Sequence, residues 1–62
     1  MSWNMQDYPD SLKNFETLER KKIIEIANAL LDSGYDESRA IAIATSEGKD
    51  WYKNASKEEL DS

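Results

Sequence analysis

The spacing of apolar side chains between residues 17 and 33 constrains the fold of this chain more than any other feature. In this stretch apolar residues recur at intervals of three and four, which places them along one side of an α-helix. They are Ile23, Ile26, Ala27, Leu30 and Leu31. Thr17 is the expected N-cap of this helix. Gly34 is the expected left-handed residue that ends it, with Tyr35 folding back on Leu30 or Leu31.

A second helix is predicted immediately after Gly34. Asp36 is its expected N-cap, and Glu37 suits the positive end of the helix dipole. Its apolar face consists of Ala40, Ile41, Ala44, Trp51, Tyr52 and Ala55. Gly48 interrupts this face, and either allows close approach of another element or marks a break into two shorter helices. The connection at Gly34–Asp36 is so tight that the two helices must lie antiparallel or cross at a wide angle.

The segment from Trp3 to Phe15 is predicted to contribute a short helix. Pro9 fits the first position of that helix, with Asp7 or Tyr8 as its cap. Tyr8, Leu12 and Phe15 share one helical face, and so short a helix requires docking against the rest of the chain.

These signals predict an all-α fold: a small bundle of two long helices joined by a tight Gly34–Asp36 turn, plus a short N-terminal helix. Residues 1–62 are expected to form a single helical domain, with residues 1–8 and 57–62 mobile. Trp51 is expected in the core. Trp3 is expected to pack over the helix pair, the alternative being an exposed anchor for a partner. The residues of the predicted partner surface are Trp3, Tyr8 and Phe15.

The residue types in the chain argue against catalysis and against a bound metal. The sequence has no cysteine and no histidine, so it lacks a thiol nucleophile, the usual base that activates a serine or threonine hydroxyl, and the usual zinc ligands. Asp32 to Glu37 resembles a calcium loop in composition, but position 6 of that loop is Glu37 instead of glycine. We therefore expect no catalytic residues, no cofactor-binding residues and no metal-binding residues.

The charge balance disfavours nucleic acid as a partner. The chain has 13 acidic and 8 basic residues, a formal net charge of −5, whereas a phosphate backbone is bound by concentrated lysine and arginine. Arg20, Lys21 and Lys22 form the only basic run, and three successive helical residues fan out into a solvated face. The chain shows no signal peptide and no apolar run long enough for a membrane span, so a cytoplasmic location is expected.

Two segments resemble known families. Residues 7–14 resemble the opening of ChaB-type small bacterial proteins, which implies a link to the regulation of cation transport. Residues 24–31 and 34–44, together with Trp3 and Trp51, are similar to short bacterial proteins of the YdaT kind. That resemblance implies a bacterial cytoplasmic protein and no particular activity.

The sequence favours a non-enzymatic bacterial accessory or protein-interaction module, with an unknown protein partner or self-association. A structural homodimerisation domain is the first alternative. A nucleic-acid-binding helix pair is the second.

Overall fold

A computed structural model describes the backbone of residues 2–61 and the side chains of residues 2–55. Within this part of the chain a 3₁₀ turn at Asp10–Leu12 is followed by α1 at Thr17–Asp32 and α2 at Glu37–Asp61. The predicted all-α class with two long helices is confirmed, and the predicted short N-terminal helix is a single 3₁₀ turn. The mobility expected for residues 1–8 and 57–62 stays a prediction; Met1, Ser62 and the side chains from residue 56 onward lie outside the described residues.

The turn between the helices has the predicted caps. Gly34 has a φ of 104°, and its N–H donates to the carbonyl of Leu31 at 3.0 Å. The N–H of Tyr35 donates to the carbonyl of Leu30 at 3.1 Å, which completes a Schellman motif. On the other side of the turn, Oδ1 of Asp36 accepts the N–H of Arg39 at 2.8 Å and caps α2.

The two helices pack side by side and antiparallel. Gly48 lies against Ile23, and these residues are about equally distant from the turn. Ala40 and Ala44 are fully buried and continue the row of small residues at intervals of four. A Cβ atom on Gly48 would meet the side chain of Ile23 and lie 3.3 Å from its Cα. Since α2 continues through Gly48, the structure selects close approach over a helix break.

Residues 2–16 form an N-terminal arm that packs against α1. The arm begins with a tight turn, in which Asn4 and Asp7 exchange backbone hydrogen bonds of 3.0 and 3.1 Å. Further along, Leu12 is fully buried in the core. The other buried members of its cluster are Ile23, Ile24, Ala27 and Ala44. The arm therefore completes a core that the helix pair begins.

Two predicted helix starts are wrong by one residue. The cap position of α1 is Glu16 instead of Thr17, because the N–H of Arg20 donates to the carbonyl of Glu16 at 2.8 Å. Pro9 precedes the 3₁₀ turn instead of starting it. Its ψ of 141° is extended, and its carbonyl accepts the N–H of Leu12 at 2.9 Å.

The buried face of each helix also differs from the prediction. Trp51 was expected in the core, but 37% of its surface is exposed. It lies three residues after Gly48, at the rim of the contact with α1, whereas Tyr52 is the half-buried aromatic residue of that turn. On α1, Ile24 is buried although the predicted stripe omitted it. The arm covers this second side of the helix, which apolar spacing alone did not indicate.

Candidate interaction surface

The first turns of α1 and the second half of α2 share an exposed apolar patch. Leu18 is 55% exposed and Trp51 is 37% exposed, and both line one shallow depression. The antiparallel packing creates this pair, because it places the start of α1 beside the α2 residues that follow Gly48. We call it the Leu18–Trp51 surface, and its residues are Leu18, Lys21, Lys22, Glu25 and Trp51.

Two lysines give this surface a basic character. Nζ of Lys22 lies 5.0 Å from the ring centroid of Trp51, within the range of a cation–π contact. Lys21 is exposed, and Glu25 follows it by one helical turn. The surface therefore presents an apolar pair, two ammonium groups and one carboxylate, a local excess of one positive charge on a chain whose net charge is −5. Such a combination can cover an apolar side chain and attract a carboxylate at the same time.

The residues predicted to form a partner surface are all half-buried against the core of their own chain. Trp3, Tyr8 and Phe15 each pack on the buried cluster. Trp3 and Tyr8 line different depressions, one bordered by the start of α2 and the other formed within the arm. The structure thus gives these three side chains a packing role, and their contact with a partner stays a prediction.

Arg20 fastens the arm to α1, a role that the sequence did not indicate. Its Nε donates to the carbonyl of Leu12 at 3.0 Å. One terminal nitrogen donates to the carbonyls of Lys13 and Phe15, both at 2.9 Å. The guanidinium carbon lies 4.8 Å from the ring centroid of Tyr8. Assignment of Arg20 to a solvated basic run was therefore wrong, since these donors satisfy carbonyls at the end of the 3₁₀ turn.

Asn28 holds the beginning of the arm through its side-chain amide. Its Oδ1 accepts the N–H of Trp3, and its Nδ2 donates to the carbonyl of Trp3, both at 2.9 Å. The amide thus pairs with the backbone of Trp3 much as a neighbouring strand would. A polar residue between Ala27 and Ala29 in an otherwise apolar stretch was the available sequence signal. Spacing strengthens it, because Arg20, Ile24 and Asn28 lie four residues apart on one side of α1.

The described part of the chain supports neither a metal site nor a membrane span. No group of three or more acidic, histidine or cysteine side chains is placed to hold a metal ion there. Within the same residues, neither helix combines the length and the apolar character that crossing a membrane requires.

The fold is an antiparallel helical hairpin with an N-terminal arm bound to its first helix. The chain is similar to "Uncharacterized protein YdaT" of Bacillus subtilis (strain 168), with 61% identity over 61 residues, which is 98% of this chain. This confirms the resemblance to YdaT that the sequence indicated.

The matched region accounts for 41% of the relative's length, so the chain spans about two fifths of that protein. No family model matches the chain, and no solved structure matches it. The resemblance to a ChaB-type opening is not shown by these comparisons.

Proposed function

We propose that this chain is a non-enzymatic bacterial module that binds another protein through the Leu18–Trp51 surface. The observation that supports it is the exposure of Leu18 and Trp51 in one depression. Trp and other aromatic residues dominate the binding energy of many interfaces, and here a partly exposed Trp lines the same depression as an exposed aliphatic side chain. Trp3, Tyr8 and Phe15 are, by contrast, half-covered by their own chain.

The absence of enzymatic activity is part of this proposal. It rests on the amino-acid types of the chain, which includes neither cysteine nor histidine. A bacterial origin belongs to the same proposal and rests on the bacterial relative. The cytoplasmic location stays a prediction from the sequence.

The alternatives draw less support from the contacts. A homodimer built on Trp3, Tyr8 and Phe15 would use side chains that already pack on their own core. A nucleic-acid-binding helix pair would have a weaker basic run, because the donors of Arg20 bind carbonyls of the arm. A role in cation transport rests on residues 7–14 alone. These three alternatives stay predictions.

Site-specific photo-cross-linking in bacterial cells tests the proposed function. Benzoylphenylalanine replacing Leu18 should form a defined adduct with another protein. The same group replacing Ala42, which is exposed elsewhere on α2, is the matched control. Adding Trp51→Ala to the Leu18 variant should remove the adduct, because loss of a hot-spot aromatic typically weakens binding by about 2 kcal/mol or more.

Three outcomes would contradict the proposal. One is the absence of any adduct at position 18. The second is an adduct that forms equally from position 42, and the third is an adduct that survives Trp51→Ala. Circular dichroism of each purified variant confirms that the helices are intact. Since Trp51 lies at the rim of the helix contact, its removal should leave the domain folded.

A further inference from the structure

We propose that the Leu18–Trp51 surface binds an acidic peptide segment of its partner, in which an aliphatic or aromatic side chain adjoins carboxylates. This inference rests on the proposed function, and adds to it the chemistry of the partner. It depends on how the apolar and charged groups of the surface are ordered along α1.

The apolar part of the surface fits one inserted side chain. Leu18 and Trp51 come from different helices and line the same depression, so a side chain placed between them contacts both. Lys22 covers part of the Trp51 ring, with its ammonium group 5.0 Å from the ring centroid. The ring therefore offers the partner its remaining exposed area beside Leu18, which suits an aliphatic or aromatic group.

The charged part of the surface selects carboxylates next to that side chain. Lys21 and Lys22 follow Leu18 by three and four residues, one helical turn away. Glu25 comes a further turn along α1 and also lines the depression. A carboxylate adjacent to the inserted side chain thus meets the lysines, whereas one placed a turn further along is repelled by Glu25.

The position of Glu25, one turn beyond the two lysines on α1, argues against an extended polyanion as the bound molecule. A nucleic-acid backbone would carry its phosphates past Glu25 as well as past the lysines, on a chain of net charge −5. A peptide can place its carboxylates beside Lys21 and Lys22 alone. Charge complementarity of this local kind sets specificity and the association rate more than the affinity itself.

Three short synthetic peptides test the proposal on the full chain. One alternates glutamate and leucine, the second alternates lysine and leucine, and the third alternates glutamate and serine. Nuclear magnetic resonance reports binding through the indole N–H signals of Trp51 and Trp3, which Trp3→Phe assigns. We expect only the glutamate–leucine peptide to shift the Trp51 signal, with the Trp3 signal unchanged. Equal shifts with either control peptide, or no shift with the glutamate–leucine peptide, would overturn the proposal.

A matched pair of charge reversals tests the role of the lysines. Lys21→Glu should weaken binding of the glutamate–leucine peptide by about five-fold, because it removes a surface charge pair worth up to about 1 kcal/mol and puts a repelling carboxylate in its place. Lys49→Glu makes the same change in net charge on α2, about 200° around the helix from Trp51, and should weaken binding by less than about two-fold. Equal weakening by both variants would show that net charge alone acts, which overturns the proposal.

The Lys21→Glu substitution also separates this inference from the proposed function. If Lys21→Glu leaves the position-18 adduct in cells intact while Trp51→Ala removes it, the proposal of an acidic partner is wrong and the proposed function stands. If Trp51→Ala leaves the adduct, or none forms, both fail. Identification of the adduct as a second copy of this chain overturns the acidic partner as well.

Discussion

Arg20 shows how a single side chain attaches one segment of this protein to another. A helix end or a turn leaves carbonyl groups without partners, and a guanidinium group offers five donors in a fixed plane. Arg20 uses this geometry to bind the carbonyls of Leu12, Lys13 and Phe15. Local sequence signals did not show this, because an arginine next to two lysines is usually solvated.

Arg20→Lys should destabilise the domain by about 1–2 kcal/mol. A lysine keeps the charge but replaces the planar group with one ammonium, so it cannot satisfy three carbonyls in this arrangement. Urea denaturation followed by circular dichroism measures the free energy of unfolding. Lys21→Ala, one residue away and exposed, is the control and should change stability by less than about 0.5 kcal/mol. Equal effects of the two substitutions would contradict the role assigned to Arg20.

Gly34→Ala should cost at least about 1 kcal/mol of stability, because at a φ of 104° a side chain is strained by its own backbone. A Cβ added to Gly34 would have no atom within 4 Å, so crowding contributes nothing and the backbone conformation is the whole cause. Chemical denaturation is again the measurement, with Ser33→Ala as the neighbouring control. A Gly34→Ala protein as stable as the parent would mean that the turn has another conformation.

The elements of this fold meet on two sides of α1. One side packs against α2, where Gly48 lies against Ile23. The other carries Arg20, Ile24 and Asn28, of which the first and last bind the arm. Ile24 lies between them on the same row and is buried. Thus α1 is the central element, and the arm covers the side of α1 that does not pack against α2.

Asn28→Ala should release the beginning of the arm. It removes both hydrogen bonds to the backbone of Trp3, which are worth about 1–2 kcal/mol together. In a Trp51→Phe background, the remaining fluorescence of Trp3 should shift to longer wavelength and become easier to quench with iodide. Asn14→Ala, an exposed position in the arm, should leave the spectrum unchanged. An unshifted spectrum for Asn28→Ala would show that Trp3 is held by packing alone.

Gly48→Ala distinguishes close helix packing from a simple helix propensity effect. Alanine is favoured over glycine in a helix by about 1 kcal/mol, so at an open position the substitution stabilises. Here the added methyl group would meet Ile23, and overpacking typically costs about 1–3 kcal/mol. We therefore expect a net loss of stability in thermal or urea unfolding. Ala42→Gly, on the exposed side of α2, measures the contribution of helix propensity to stability alone. A gain in stability for Gly48→Ala would contradict the close approach.

The molecule as a whole has a small core relative to its surface. Among the side chains that the structure describes, the buried apolar residues are Leu12, Ile23, Ile24, Ala27, Ala40 and Ala44, and alanine contributes little apolar area. Domains of this size bury only about 60% of their unfolded surface and are correspondingly marginal. The half-buried aromatic side chains of the arm extend this core. The chain therefore needs its arm as much as its helix pair.

The midpoint of thermal unfolding should not depend on protein concentration. The aromatic side chains of the arm pack on their own chain, and the Leu18–Trp51 surface is proposed to bind a different protein. Assembly of identical copies would instead raise the midpoint with concentration by mass action. Sedimentation velocity over the same concentration range provides the second measurement. A rising midpoint together with a dimer would favour the homodimerisation alternative.

Particular residues show where prediction from the sequence succeeded and where it failed. Gly34 and Asp36 were assigned correctly, because caps act through bonds to residues a few positions away. Trp51 was wrongly assigned to the core, because apolar spacing gives a face but not its exact limits. Leu18 was not identified as part of a site for the same reason, since its exposure depends on which residues α2 covers.

Interactions between residues close in the chain are enough to specify two helices, the tight turn between them and the all-α class. Apolar spacing, helix caps and one left-handed glycine each act over a few residues. These features can therefore be recognised from consecutive residues of the sequence. Tertiary packing sets three further features, which are the attachment of the arm by Arg20 and Asn28, the close approach at Gly48, and the exposure of Leu18 beside Trp51. Each of these depends on residues far apart in sequence, whose meeting is fixed by how the three segments pack.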